Sequence, residues 1–439
     1  MPVEGAHVTL WKAGPRTGYS QYCPGCYRDC GRTVQTGPNG VFTFHDIEDG
    51  LLFSVMVSAD GYVPMETKRF DPLEFAGQVK VTKRGLLPAD PFVVLKGRVV
   101  DEAGRPVAGA EISPRMFFWK EPDGRTTGSS SSGGEDIAYT REDGTFLMVL
   151  GRRCKAASFI ITAPTLAPLY VKNAAVGEIE DDYVLRMGVT IRGRVVDESG
   201  TPIPGVQLVL AQQSRMIDTF IGKFEYAADN RGRFEIPNIP AFPTDERNHV
   251  ARRQTINTQG EVVPVIEKNP TSERYWLVAH TDSLDGRGYT PRFEVFLDNE
   301  DTDVELGDLV PTKGVSIEGR VVLSDGNPIP EGMTIFATRP DNWDSQIYQL
   351  PPDGTFRFDH LPPNEELHIS PSVKGYRVSR SHPSVEQNGF AIKGKLESSM
   401  TGFVLLLEPG KPERLDYQAL TQEQLAAFNT LRVFESYKP

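Results

Sequence analysis

Apolar positions in this chain seldom fall at helical spacing; they come in short alternating runs bounded by turn residues, and two such runs recur together. The first run reads Lys96-Gly97-Arg98-Val99-Val100-Asp101-Glu102-Ala103-Gly104-Arg105-Pro106-Val107-Ala108-Gly109-Ala110 in its clearest copy. It returns as Arg192-Gly193-Arg194-Val195-Val196-Asp197-Glu198-Ser199-Gly200-Thr201-Pro202-Ile203-Pro204-Gly205-Val206, and again over residues 318–332, where Gly319-Arg320-Val321-Val322 opens the copy. The second run is a glycine turn leading into alternation: Asp143-Gly144-Thr145-Phe146, then Arg231-Gly232-Arg233-Phe234-Glu235-Ile236, then Asp353-Gly354-Thr355-Phe356-Arg357-Phe358. Glycine supplies the positive φ of a tight hairpin turn, and the period of two buries one face of the strand that follows. Antiparallel hairpins are predicted, with further strands at Phe159-Ile160-Ile161-Thr162, Tyr275-Trp276-Leu277-Val278-Ala279 and Leu367-His368-Ile369-Ser370.

The N-terminus fits the same frame. Pro2-Val3-Glu4-Gly5-Ala6 matches residues 106–110, and Pro38-Asn39-Gly40-Val41-Phe42-Thr43-Phe44 matches the second run, whereas no Gly-Arg-Val-Val segment precedes them. The sequence is therefore read as starting inside a repeat, a fragment or a displaced start whose upstream part would hold an export signal. The predicted organisation is a module over 1–90 that lacks its first strand, modules over 91–188, 189–314 and 315–410, and a tail over 411–439. In the tail, Thr421 with Gln424 resembles a helix capping box, and Leu425, Phe428 and Leu431 follow at helical spacing, so one short helix is expected to dock on the last module. The third module carries an insertion, 243–273, with no counterpart elsewhere.

Composition narrows the function classes. A chain of 439 residues with 39% hydrophobic residues is too long for one core and rich enough for several. Its 41 glycines and 34 prolines favour turns and short strands. A net charge of -12 without a basic, aromatic-interleaved patch speaks against nucleic acid. No run approaches the roughly 20 apolar residues of a membrane span.

The pairing of Gly-Arg-Val-Val-Asp-x-x-Gly-x-Pro with a later Asp-Gly-x-Phe strand resembles the carboxypeptidase regulatory-like family, which belongs with transthyretin-like and collagen-adhesin B-type sandwiches. The resemblance covers roughly residues 1 to 410. It implies an all-β fold of tandem Ig-like or transthyretin-like sandwich modules, a bacterial source, and an accessory, exported role with protein or polysaccharide surfaces as partners. It settles no activity, since fold alone does not.

Candidate chemistry is sparse. His45-Asp46-Ile47-Glu48 has the short spacing of a zinc peptidase ligand pair, but His45 falls at the end of a strand that every module repeats, as Asp359-His360 does. No phosphate-cradling glycine loop or Gly-x-Ser-x-Gly elbow is present, and no enzyme is expected. Cys23, Cys26 and Cys30 form the most distinctive local cluster. It is open to three readings: a disulfide within the loop, a structural zinc site with His45 or Cys154 as fourth ligand, or thiols without either. Cys154 reads as a buried thiol. The acidic run Asp298, Asn299, Glu300, Asp301 and Asp303 reads as a solvated loop between two strands rather than a calcium site. For a sugar, which stacks on exposed aromatic faces, Trp343 with Asp341, Asn342 and Asp344 is the first candidate and Trp119 the second, whereas Trp276 reads as core. The leading expectation is a non-catalytic extracytoplasmic scaffold or interaction protein. Its alternatives are a carbohydrate-binding accessory protein and the accessory region of an enzyme whose catalytic part lies elsewhere.

Overall fold

The computed structural model describes residues 1–16, 24–25, 27, 29–74, 77–130, 137–177, 181–212, 223–241, 254–256, 262–264, 272–298, 303–340, 342, 344–385, 389–412 and 432–438. The fold is all-β, and its sheets and apolar cores fall into four groups that follow the sequence repeats. The first group contains β1 (His7–Pro15), β2 (Thr33–Gln35), β3 (Leu51–Ser58), β4 (Tyr62–Val63), β5 (Met65–Glu66) and β6 (Thr82–Lys83). The second contains β7 (Val94–Asp101), β8 (Glu111–Lys120), β9 (Thr126–Ser130), β10 (Ala138–Tyr139), β11 (Thr145–Val149), β12 (Ala156–Ala163), β13 (Leu166–Ala175) and β14 (Asp181–Leu185). The third runs through β15 (Val189–Val195), β16 (Gln207–Gln212), β17 (Lys223–Ala227), β18 (Arg233–Ile239), β19 (Gln254–Ile256), β20 (Val262–Pro264), β21 (Ser272–Ala279), β22 (Phe293–Asp298) and β23 (Asp303–Leu309). The fourth has β24 (Val315–Leu323), β25 (Thr334–Arg339), β26 (Asp344–Gln349), β27 (Thr355–Leu361), β28 (Leu367–Ser372), β29 (Tyr376–Val378), β30 (Ile392–Gly394) and β31 (Met400–Pro409).

Repeats two to four share one construction. The Gly-Arg-Val-Val strand (β7, β15, β24) lies in the middle of one sheet, antiparallel to the strand of the second run (β11, β18, β27) and parallel to the last strand (β14, β23, β31). The register is common to all three: Phe146 stands opposite Gly97, Phe234 opposite Gly193 and Phe356 opposite Gly319. The glycine makes room for the ring, since a Cβ at Gly97 would sit 2.8 Å from Phe146 and 2.6 Å from Tyr183. In repeats two and three the Asp after Val-Val closes the next turn with its side chain. Asp101 Oδ1 accepts from the Ala103 and Arg105 amides, and Asp197 Oδ1 from those of Ser199 and Thr201. A second sheet (β10-β8-β12-β13 with β9, then β17-β16-β21-β22, then β26-β25-β28-β30) supplies the other face of each sandwich.

The first repeat departs from this plan. Its sheet runs β2-β1-β3-β5, with β4-β6 as a separate pair. The alternating stretch Val41-Phe42-Thr43-Phe44, predicted as a strand, forms none. A strand needs a partner for its backbone groups, and the Gly-Arg-Val-Val strand that pairs with it in the other repeats has no counterpart among the described residues. The core is correspondingly thin. Among the described residues, seven apolar side chains form its buried core, against 17, 18 and 21 in repeats two to four, and Phe42, Phe44, Val79 and Val81 remain half-buried around it.

The expected tail helix lies outside the described residues. Beyond it, residues 432–438 lie on the fourth repeat: Phe434 enters that core beside Phe403, and the Tyr437 amide donates to Val404 O. Most of the 243–273 insertion also lies outside the described residues, and what is described there is the antiparallel pair of β19 and β20.

Candidate functional site

Of the side chains singled out from the sequence, Cys30, His45, Cys154, Trp119 and Trp276 are described. Cys23 and Cys26 lie outside the described residues. Cys30 packs half-buried against the first core, with its Sγ 3.4 Å from Pro24 O. His45 is exposed, and its carbonyl, with that of Asp46, accepts from the Arg32 guanidinium, which also pairs with Asp29. Among the described residues no three histidine, cysteine or acidic side chains gather as metal ligands. Cys154 is buried in the second repeat's core among Leu150 and Phe159. Trp119 on β8 is half-buried: its indole nitrogen donates to Glu121 at 2.8 Å, and the Arg152 guanidinium lies 4.4 Å above the ring, covering one face. Trp343 lies outside the described residues. Trp276 corrects its expected place in the core. It alternates with buried Tyr275 and Leu277, so the pleat turns it outward, half-buried, with the Arg292 guanidinium 5.9 Å away.

Where the sequence pointed to a loop around Trp343, its neighbours Asn342 and Asp344 are buried, and Asp344 lies between the third and fourth repeats. Asn342 is 0% exposed and Asp344 3%. Asp344 opens β26 and reaches into the third repeat, where its two oxygens accept from the Thr281 amide at 3.1 Å and the Thr281 hydroxyl at 2.9 Å. Arg339, the last residue of β25, is 2% exposed and donates to Asp344 at 3.3 Å and, across the junction, to Thr290 O at 3.1 Å. Its other nitrogens grip Glu365, which also pairs with Arg292 of the third repeat at 3.1 Å. His280 completes the set, 3.7 Å from Asp344 and 3.8 Å from Glu225.

Electrostatics follow from this packing. Burial alone would pull the His280 imidazole down, yet the Asp344 and Glu225 carboxylates outweigh it and hold the ring up at about 9. Burial likewise opposes ionisation of Asp344, and His280 with Arg339 overcome it and keep that carboxyl below its ordinary range. Asp282, on the short turn beside His280, is pushed up by burial and then by Asp344. The arrangement is a buried lattice of alternating charges that joins two repeats.

Other junctions are lighter. Between the first and second repeats, the His7 ring stacks on Tyr139 at 3.6 Å, the Tyr139 hydroxyl bonds Thr9 and Glu111, and Asp60 pairs with Arg141. Between the second and third, the Asn238 amide donates to Pro164 O at 3.5 Å. None of these junction residues stands out by motif. One signal was present for Arg339: Ile335 and Ala337 face the core, and alternation puts a guanidinium on the same inward side.

No protein-family model matches the chain, and no curated protein does. Solved structures with some likeness include the Bacillus anthracis TIE protein, at 9% identity and TM-score 0.18 over 93% of this chain and 69% of that one. A Streptococcal ancillary pilin shows 9% identity and TM-score 0.22 over 72% of this chain and 98% of its own. The shaft pilin SpaA from Lactobacillus rhamnosus GG shows 9% identity and TM-score 0.19 over 52% of this chain and 100% of its own. Likenesses so slight carry no argument.

Proposed function

We propose that this chain is a non-catalytic, extracytoplasmic scaffold of carboxypeptidase regulatory-like repeats, divided at residues 90, 188, 314 and 410, that holds protein partners at a set spacing. The observation that carries this reading is the junction of the third and fourth repeats. Burying Arg339, Asp344 and their partners is expensive in solvation, and well-packed apolar side chains would stabilise a contact at least as well. What a buried, directional lattice adds is one defined orientation, because each charge must meet its partner or stand uncompensated. A spacer needs that property. A string of freely jointed domains does not.

Small-angle scattering tests the reading on the whole chain. The wild type is expected to fit one narrow distribution of dimensions, and Asp344→Ala, which takes one carboxylate partner from both Arg339 and His280, a distinctly broader one. A wild type as broad as the variant overturns the proposal.

A further inference from the structure

Residues 379–385 of the fourth repeat form a loop that carries a buried imidazole. His382 is 2% exposed. Its Nδ1 accepts from the Ser384 amide at 3.2 Å, which leaves the ring proton on Nε2, and Nε2 meets no acceptor among the described residues. The ring lies against Phe403, with centroids 6.0 Å apart, and burial alone pulls it down to about 4. The same loop holds residues 432–438. Pro383 O accepts from the Arg432 guanidinium at 2.8 Å, and Phe434, 1% exposed, packs on Phe403 in its turn, with centroids 6.5 Å apart. The seat is shaped for this segment, since a Cβ at Gly394 would lie 2.7 Å from Arg432 O and 3.0 Å from the Phe434 ring. Its main-chain hold is light: among the described residues the Lys395 amide donates to Arg432 O, the Phe434 amide to Lys395 O and the Tyr437 amide to Val404 O.

We propose that His382 is an acid-operated latch, whose protonation expels the ring from the core and releases residues 432–438 from the fourth repeat. A proton on Nδ1 removes the lone pair that accepts from Ser384 and sets two N–H groups against each other. It also puts a charge beside Phe403. The carboxylates on the elements packed around the loop are engaged: Glu408 of β31 accepts from Arg377 and Ser379, Glu366 pairs with Lys393 of β30, and Glu397 with Lys395. Arg380 on the loop and Arg432 on the segment have the same sign as the imidazolium, and Glu435 is exposed. The charged ring is hydrated only by leaving. As the loop turns outward it carries Pro383 O away from Arg432 and uncovers Phe403, so the segment loses its polar anchor and one wall of its apolar seat together. Because the seated ring binds its proton more weakly than a free one, which titrates near 6.5, the closed form is fully favoured above about 6.5 and loses ground as pH falls through about 4.

Amide exchange of the whole chain, read as protection factors at about pH 7 and about pH 4, tests the latch against His382→Asn. The asparagine Oδ1 takes the place of Nδ1 as acceptor from the Ser384 amide and does not titrate. Between the two conditions the Phe434 and Tyr437 amides of the wild type are expected to lose about a hundredfold more protection than those of the variant, while β24 responds alike in both. A difference below about tenfold, or a wild-type loss as large on β24 as on Phe434 and Tyr437, overturns the proposal. A second reading needs no substitution. The imidazole resonances of His382 in the wild type are expected to titrate together with the loss of protection at Tyr437, and a ring that charges while residues 432–438 stay protected overturns the proposal as well.

Discussion

Gly97 shows how a single hydrogen atom decides a sandwich core. Its strand runs between the rings of Phe146 and Tyr183, which leave less than 3 Å for any Cβ. Gly97→Val is expected to cost about 1–3 kcal/mol of second-repeat stability as an overpacking change, read as a lower denaturant midpoint with unchanged slope. The buried lattice makes the opposite case. Asp344→Ala removes acceptors from Thr281 and Arg339 and leaves the guanidinium buried and half-paired. A loss of about 3–5 kcal/mol is expected, measured by chemical denaturation of the whole chain. These two residues differ in how well they could be read beforehand. Gly97 sits in a motif repeated three times, and its turn chemistry is local. Asp344 and Arg339 owe their role to a neighbouring repeat, Thr281 and Thr290, far along the chain, and nothing in their own segments names those partners.

At the scale of strands, the alternation and the glycine turns gave the second-run strands of repeats two to four but not the expected hairpins, because the strands on either side of each glycine turn enter opposite sheets of the sandwich, and β11, β18 and β27 pair with β7, β15 and β24 instead. The same signals over residues 41–44 led to a strand that does not form, because pattern specifies which face is apolar while ladder pairing requires a second segment to be present. Stability should follow. Amides of the first repeat are expected to exchange faster than those of β7, β15 and β24 under native conditions, reflecting its thinner core among the described residues. Hydrogen exchange of the whole chain checks this, and equal protection across the four repeats would count against it. The cysteine cluster was conspicuous in sequence for a different reason, residue type rather than pattern. Its state depends on Cys23 and Cys26, which lie outside the described residues.

On the scale of the molecule, the lattice is expected to make the third and fourth repeats a single cooperative unit over a bounded pH range. His280, raised to about 9 by Asp344 and Glu225 against the pull of burial, contributes its stabilisation fully below the ordinary histidine value near 6.5 and loses it as pH rises through about 9. Asp344, depressed by His280 and Arg339, contributes above the ordinary aspartate value near 3.9 and loses its share as pH falls through its lower native value. Asp282, held up beside them, adds negative charge as pH rises and so keeps favouring the protonated imidazole. Scanning calorimetry is expected to show one shared transition for these two repeats at pH 7 and separate transitions at about pH 10. The sandwich class was plain from the motif spacing, whereas the joints were not, since a joint is written in single residues scattered over two repeats.

The parallel neighbours β24 and β31 carry one more implication. Two strands that run the same way side by side place the entrance of a repeat at one end of the pair and its exit at the other. Tension along the chain would then drag the strands past one another lengthwise, loading all the rungs from Ile317–Met400 to Leu323–Leu407 at once instead of peeling them singly. Repeats two, three and four share this geometry and should yield abruptly, at high force, in single-molecule pulling.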